Sequence, residues 1–193
     1  MILRMLQFLQ EDCPQTVRAQ IIAMMQREWP QAFAGKSDGE IAWPDNLATQ
    51  PTSFVLLADH TVICHVAVPW KIIQHEGESY KVFGLNEVMT RPAYRHQGLG
   101  LRLVKGAADF IEQSEADLSI FTCQPPLVSF YHQGGWEQAS HTNLIGGTRE
   151  KPFRSNTLGL ATMIRFFSPR ARQHRSDFTR ADVYLELGEN MLW

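Results

Sequence analysis

Phe83-Gly84-Leu85-Asn86-Glu87-Val88-Met89-Thr90-Arg91-Pro92-Ala93-Tyr94-Arg95-His96-Gln97-Gly98-Leu99-Gly100-Leu101-Arg102-Leu103-Val104-Lys105-Gly106 is the stretch that organises the chain. Leu85 to Thr90 is apolar with a β-branched flavour and reads as a strand. Pro92 ends it, because proline has no N–H to give to a ladder. A short basic turn bearing glycines follows. Leu99, Leu103, Val104, Ala107, Phe110 and Ile111 then recur at helical spacing, so a helix opens at the turn and runs to about Ser114. Strand, glycine turn and helix start form an anion cradle. Unpaired N–H groups and the positive end of the helix dipole face the ligand, and glycine lets the backbone come close. The spelling Arg95-x-x-Gly98-x-Gly100 lacks the third glycine and downstream acid of a dinucleotide fingerprint. It also lacks the Gly-Lys-Ser/Thr ending of a nucleoside-triphosphate loop.

Composition bounds the rest. The chain has 193 residues, 44% of them hydrophobic, and a formal net charge of −2. That suits a single domain over residues 1–193 with a substantial core and an extended C-terminal segment from about residue 168. No basic footprint exists, so nucleic acid is a poor partner. Cys13, Cys64 and Cys123 are scattered, without the pairing of a disulfide framework or the spacing of a zinc site, and no metal is expected. The reducing cytoplasm is the default compartment. The apolar start is too short for a secretion signal, and no apolar run is long enough to span a membrane.

On either side of the organising stretch, elements follow from pattern. Val17, Ile21, Ile22, Met25 and Trp29 mark one face of a first helix, with Pro14 in its first turn and Asp12 as an N-cap. Residues 31–50 read as a loop or broken helix carrying the acids Asp38, Glu40 and Asp45. Ser53–Leu57 and Thr61–Pro69, split by Ala58-Asp59-His60, predict an antiparallel hairpin. Trp70–His75 and Tyr80–Thr90 continue a meander. Leu118–Cys123 is a strand parallel to its predecessor if the helix between them is a right-handed crossover. Leu127–His132 fits a short helix closed by Gly134-Gly135. Leu158–Phe167 is a late strand, residues 165–180 an Arg-rich surface loop, and Asp182–Leu187 a final strand or helix turn.

The Arg95–Gly100 loop resembles the pyrophosphate loop of the GCN5-related N-acetyltransferases (the GNAT superfamily). Tyr131-His132-Gln133-Gly134-Gly135-Trp136 resembles that family's Tyr-x-x-x-Gly-Phe/Trp segment. The resemblance covers roughly residues 5–168, with the intervening elements in the family's order. It implies an α+β fold with α/β/α layering, in which a mixed central sheet joins an antiparallel meander to a splayed parallel strand pair between helices. His65-Val66-Ala67-Val68, Arg95-x-Gln97 and the final tryptophan are similar to the aminoglycoside 2′-N-acetyltransferases. Two departures stand out. Asn86 occupies the position where that subfamily has a glutamate, with the acid next door at Glu87, and Glu189–Trp193 has no acid two before its end. A one-residue shift on a strand turns a side chain to the opposite face.

The resemblance implies acetyl-CoA as co-substrate and a primary amine of a small molecule, aminoglycoside-like at the sharp end, as acceptor. Arg95, His96, Gln97, Gly98, Leu99 and Gly100 would hold the pyrophosphate. Val88 and Thr90 would pair with the pantetheine arm, with the Val88 N–H polarising the thioester oxygen. Tyr131 would be the general acid, since a phenol with its pKa near 10 stays protonated at neutral pH. Glu87 is the nearest carboxylate for a general base, with His65 and His132 as spare candidates. Asp38 and Glu40 would suit a polycationic acceptor, and the terminal carboxylate of Trp193 would enter its pocket. A homodimer is one assembly open to the chain. A different acyl donor or acceptor (a peptide amine or a polyamine) and a non-catalytic acyl-CoA-binding module stand as alternatives.

Overall fold

Residues 2–193, save the side chain of Asp38, are described in the computed structural model. In chain order the elements are β1 (Leu3–Leu9), α1 (Gln15–Glu28), β2 (Thr52–Ala58), β3 (Thr61–Val68), β4 (Trp70–His75), β5 (Glu78–Phe83), β6 (Asn86–Thr90), α2 (Leu99–Gln113), β7 (Leu118–Cys123), α3 (Val128–Gln133), β8 (Glu137–Gln138), β9 (Asn143–Gly147), β10 (Pro152–Arg154), β11 (Ala161–Phe166), α4 (Pro169–Gln173) and β12 (Asp182–Tyr184). They sort into two compact units, residues 1–69 with 86–107, and residues 70–85 with 108–193.

The first unit is built on an antiparallel sheet in the order β1-β2-β3-β6. The continuous apolar run of β2 is buried along its whole length, and Asp59 takes φ 52° in the turn to β3. Val17, Ile21, Ile22, Met24 and Met25 of α1 pack with Val55, Leu57, Val62 and Met89 of the sheet, and with Ile41 and Trp43 from the connecting loop. Each such side chain contributes about 1.5–3 kcal/mol through burial. Two details of the sequence reading change. Asp12 lies in a 3-10 turn and caps nothing; Pro14 stands at the cap position of α1. Trp29 falls outside the apolar face and is 40% exposed. The apolar start of the chain lies in β1, a strand of mixed polarity.

A β-bulge interrupts β6. His65 of β3 stands opposite Met89, but Ala67 stands opposite Asn86, so Glu87 and Val88 together face Val66 alone. Glu87 adopts φ 51°, a left-handed conformation that costs a non-glycine residue about 1–2 kcal/mol.

The second unit carries a mixed sheet in the order β4-β5-β7-β11-β8 and a smaller one in the order β10-β9-β12. β4 and β5 form a hairpin. β5 is parallel to β7 through the pairs Val82–Leu118 and Phe83–Ser119, and β12 is parallel to β9. Tyr80, Phe83, Phe121, Trp136 and Phe178 are fully buried at its centre. The single strand expected over Tyr80–Thr90 is two, broken at Gly84-Leu85, so the parallel partner of β7 is the upstream half. A Cβ on Gly84 would lie 2.6 Å from the Trp193 indole, which is why glycine stands there. The Arg-rich segment 165–180 is not an open loop. It forms α4 and a 3-10 turn, with Arg170 paired to Glu78 and Asp117 and Arg175 to Glu137. Antiparallel and parallel strands in mixed sheets with flanking helices give the expected α+β class. Among the described residues, no helix is long and apolar enough to cross a membrane.

Candidate active site

The turn before α2 exposes Arg95, His96, Gln97 and Gly98. His96 and Gly98 have φ of 60° and 74°. A Cβ on Gly98 would meet nothing within 4 Å, so that glycine answers to backbone conformation alone. The first helical bond runs from the Arg102 N–H to the Gly98 carbonyl. The N–H groups of Leu99, Gly100 and Leu101 therefore have no acceptor within the helix. The Arg95 side chain does not project freely. Its Nε donates to the Thr90 carbonyl at 2.9 Å and its Nη2 to Glu28 at 2.7 Å, tying the loop to the end of β6 and to α1.

β6 is the last strand of its sheet, so its outer edge has no strand neighbour there. Val88 and Thr90 are half-buried on it, and the Thr90 hydroxyl donates to the Cys64 sulfur. Glu87 points inward. Its carboxylate accepts from Trp43 Nε1 at 3.1 and 3.0 Å and from Gln10 Nε2 at 3.2 Å, and His65 Nδ1 lies 3.5 Å from Oε2. These donors are neutral. Burial pushes the Glu87 carboxyl up from 4.5 to about 7, and nearby Asp45 adds to the rise. A carboxyl poised near neutrality can take a proton and return it, which is what a general base must do. Burial still alternates along β6, so Glu87 lies on the inward face with Met89 while Asn86, Val88 and Thr90 are half-buried on the other; the bulge shifts only the register against β3. Trp43 and Gln10 are site residues that sequence reasoning missed; nothing in their spacing to Glu87 announces them.

In the second unit, Tyr131 is buried on α3, with its ring edge-on to Phe121 at 4.9 Å between centroids. Among the described residues its hydroxyl has no hydrogen-bond partner. Burial holds the phenol well above its ordinary value, with Cys123 reinforcing the shift, so it is a proton donor at neutral pH. The motif around it terminates the helix. Gly134 N–H donates to the Tyr131 carbonyl, Gly135 sits at φ 97° with its Cα facing the Arg165 guanidinium, and Trp136 is fully buried with its indole N–H on Ser119.

Trp193 is buried too. Its carbonyl oxygen accepts from the Thr122 N–H at 2.9 Å and from the Thr122 hydroxyl at 2.5 Å. Glu40 is exposed, and its carboxylate accepts from the Ser37 backbone N–H at 2.8 Å and hydroxyl at 2.6 Å, which lowers its pKa. The Asp38 side chain lies outside the described residues. His65 is buried within the Glu87 cluster, whereas His132 is exposed on α3.

A model of the acetyltransferase (GNAT) domain matches residues 10–139, more than half of the chain, and the chain belongs to that family of N-acetyltransferases. No curated protein sequence matches. Among solved structures, a conserved Enterococcus faecalis protein described as a probable N-acyltransferase aligns with TM-score 0.59 and 19% identity over 72% of this chain, which spans only 33% of that longer chain. An acyl-CoA N-acyltransferase from Pseudomonas aeruginosa aligns with TM-score 0.56 and 16% identity, over 85% of this chain and 99% of its own. An aminoglycoside 6′-N-acetyltransferase complexed with coenzyme A aligns with TM-score 0.57 and 11% identity, over 88% and 99%. These identities establish a shared fold.

Proposed function

We propose that the chain, as one acetyltransferase domain working in the cytoplasm, moves an acetyl group from acetyl-CoA directly to a primary amine of a small molecule. The observation that carries this is Glu87, an interior carboxylate on an edge strand, held by neutral donors and titrating at about 7. Three N–H groups at the start of α2, with the backbone of His96 to Gly98, receive the pyrophosphate, and Arg95 holds that loop in place. The outer edge of β6 pairs with the pantetheine arm through Val88 and Thr90, the Val88 N–H facing the thioester oxygen. Glu87, directly or through a water, takes the proton of the incoming ammonium. The nitrogen attacks the thioester carbon, the new C–N bond forms, the C–S bond breaks, and the Tyr131 hydroxyl protonates the departing thiolate; the surplus proton on the acylated nitrogen then restores the Tyr131 phenol, and Glu87 releases its proton to solvent.

The 2′-amine of an aminoglycoside is the sharp form of the acceptor, and Asp38, Glu40 and Trp193 are the residues the resemblance offers for it. The engagement of Glu40 with Ser37 weakens the case for a polycation. It favours a second reading with a wider acceptor class, including polyamines and peptide amines. Coenzyme A thiol release should be followed against a 2′-amino aminoglycoside, a 2′-hydroxyl analogue, a polyamine and a short peptide, each beside Tyr131→Phe. Turnover confined to the 2′-amine supports the sharp reading. Tight donor binding with no turnover on any amine refutes the aminoglycoside reading and moves the search to other donors and acceptors.

A further inference from the structure

Ser53, His65 and Glu87 lie in line across β2, β3 and β6. Ser53 and His65 are fully buried and Glu87 is 6% exposed. Ser53 Oγ stands 2.8 Å from His65 Nε2, and His65 Nδ1 faces Glu87 with Oε2 at 3.5 Å. The Glu87 backbone also presents an acceptor toward the ring. The imidazole is clear of solvent, and burial drops its pKa to about 3, so it stays neutral and carries one proton. Two arrangements are open to that proton. On Nε2 it would point at the Ser53 oxygen and leave the Nδ1 lone pair against a carboxylate. On Nδ1 it points at Glu87, while the Ser53 hydroxyl donates to Nε2. His65 Nδ1 makes no hydrogen bond at this 3.5 Å separation, but only the second arrangement sets an N–H rather than a lone pair against Glu87 when it is ionised.

We propose that His65 is a positioning residue that holds Glu87 ready as a base, its tautomer set by Ser53. This rests on Glu87 being the base of the proposed reaction. The other groups facing Glu87 are Trp43 and Gln10, which are neutral, and Asp45; Arg18 is engaged with the backbone carbonyls of Ile41 and Trp43, and Cys13 lies at the margin of the same core. None of them replaces the His65 contact. His65 lies behind the carboxylate and acts through it.

His65→Leu removes the donor and keeps the ring's place filled. His65→Asn puts an amide N–H near the position of Nδ1. The acid limb of kcat/KM against pH should move upward by about one pH unit in His65→Leu, the tenfold change in proton affinity expected when a buried N–H dipole facing a carboxylate is removed. The high-pH plateau should recover, and His65→Asn should bring the limb back toward the parent. In parallel, the Glu87 carboxyl is titrated by carbon-13 NMR in each protein, a readout independent of turnover. An upward shift of that titration in His65→Leu, reversed in His65→Asn, supports the proposal. A Glu87 titration that stays put in His65→Leu overturns it, even if activity falls at every pH. If the carboxyl titration moves but the limb of kcat/KM does not, His65 does tune Glu87 while the base assignment fails. Should His65→Leu not fold, Ser53→Ala serves with the same two readouts. It should move the Glu87 titration in the same direction by a smaller amount, and no movement overturns the proposal.

Discussion

Replacing Glu87 by glutamine should make the protein gain stability relative to the parent as pH rises, while removing the proposed base. In the native protein the Glu87 carboxyl titrates at about 7 against an ordinary 4.5, because burial disfavours its ionised form. The folded state therefore binds more protons than the unfolded state between those values. Stability falls as pH rises through that window and is level above it. At about 1.4 kcal/mol per pH unit, the span amounts to about 3 kcal/mol. Glutamine does not titrate, and Gln10 can turn its amide to meet the new one. His65 works in the other direction: its pKa, lowered to about 3, costs stability as pH falls below 6.5. That contribution is common to both proteins and leaves their difference unchanged. Urea unfolding followed by tryptophan fluorescence, from pH 4.5 to 8.5, gives the two curves. The variant should gain on the parent by about 3 kcal/mol between the ends of that range. Parallel curves would refute the claim that this carboxyl is strained by burial, and the base assignment would lose its main support.

Tyr131→Phe keeps the ring contact with Phe121 and deletes only the hydroxyl. Turnover should fall by about 10²–10⁴-fold with coenzyme A affinity unchanged, as read by steady-state rates and calorimetry. Gly98→Ala forces a side chain into φ 74° without any clash. Coenzyme A should bind more weakly, and stability should drop by about 1–2 kcal/mol; a neutral result in both would mean the loop tolerates reshaping. Gly84→Ala sets a methyl 2.6 Å from the Trp193 indole. A loss of about 1–3 kcal/mol with a changed tryptophan emission is expected, and an unaltered spectrum would show that Trp193 is not packed there.

The elements that fold by local pattern were legible. The hairpin β2–β3, the α2 periodicity, β7 and the short helix α3 with its glycine stop all stand where spacing placed them. The loop motif and the Tyr131–Trp136 segment were legible as well, because helix ends and left-handed glycines leave fixed signatures. What escaped was set by tertiary partners. β1 alternates poorly, with Arg4, Met5 and Gln7 exposed, and is a strand because β2 offers it a ladder. β9 and β10 are short, and Gly146 and Gly147 hide the pattern of the first. Trp43 and Gln10 reach Glu87 from segments 44 and 77 residues away in sequence, where no local rule points.

The extra residue in β6 also bears on how relatives are recognised. Because two side chains share one rung at Glu87 and Val88, the position of an acid along this strand fixes its face but not the β3 residue it stands beside. A column-by-column comparison that demands the acid at the place of Asn86 would pass over the buried carboxylate of Glu87 and the partners gathered around it. Moving the carboxylate one place along the strand carries it to the other face, so an acid at that place would need different partners to hold it. Members of such a family are better sorted by what surrounds the carboxylate, here an indole, an amide and an imidazole, than by its address in an alignment.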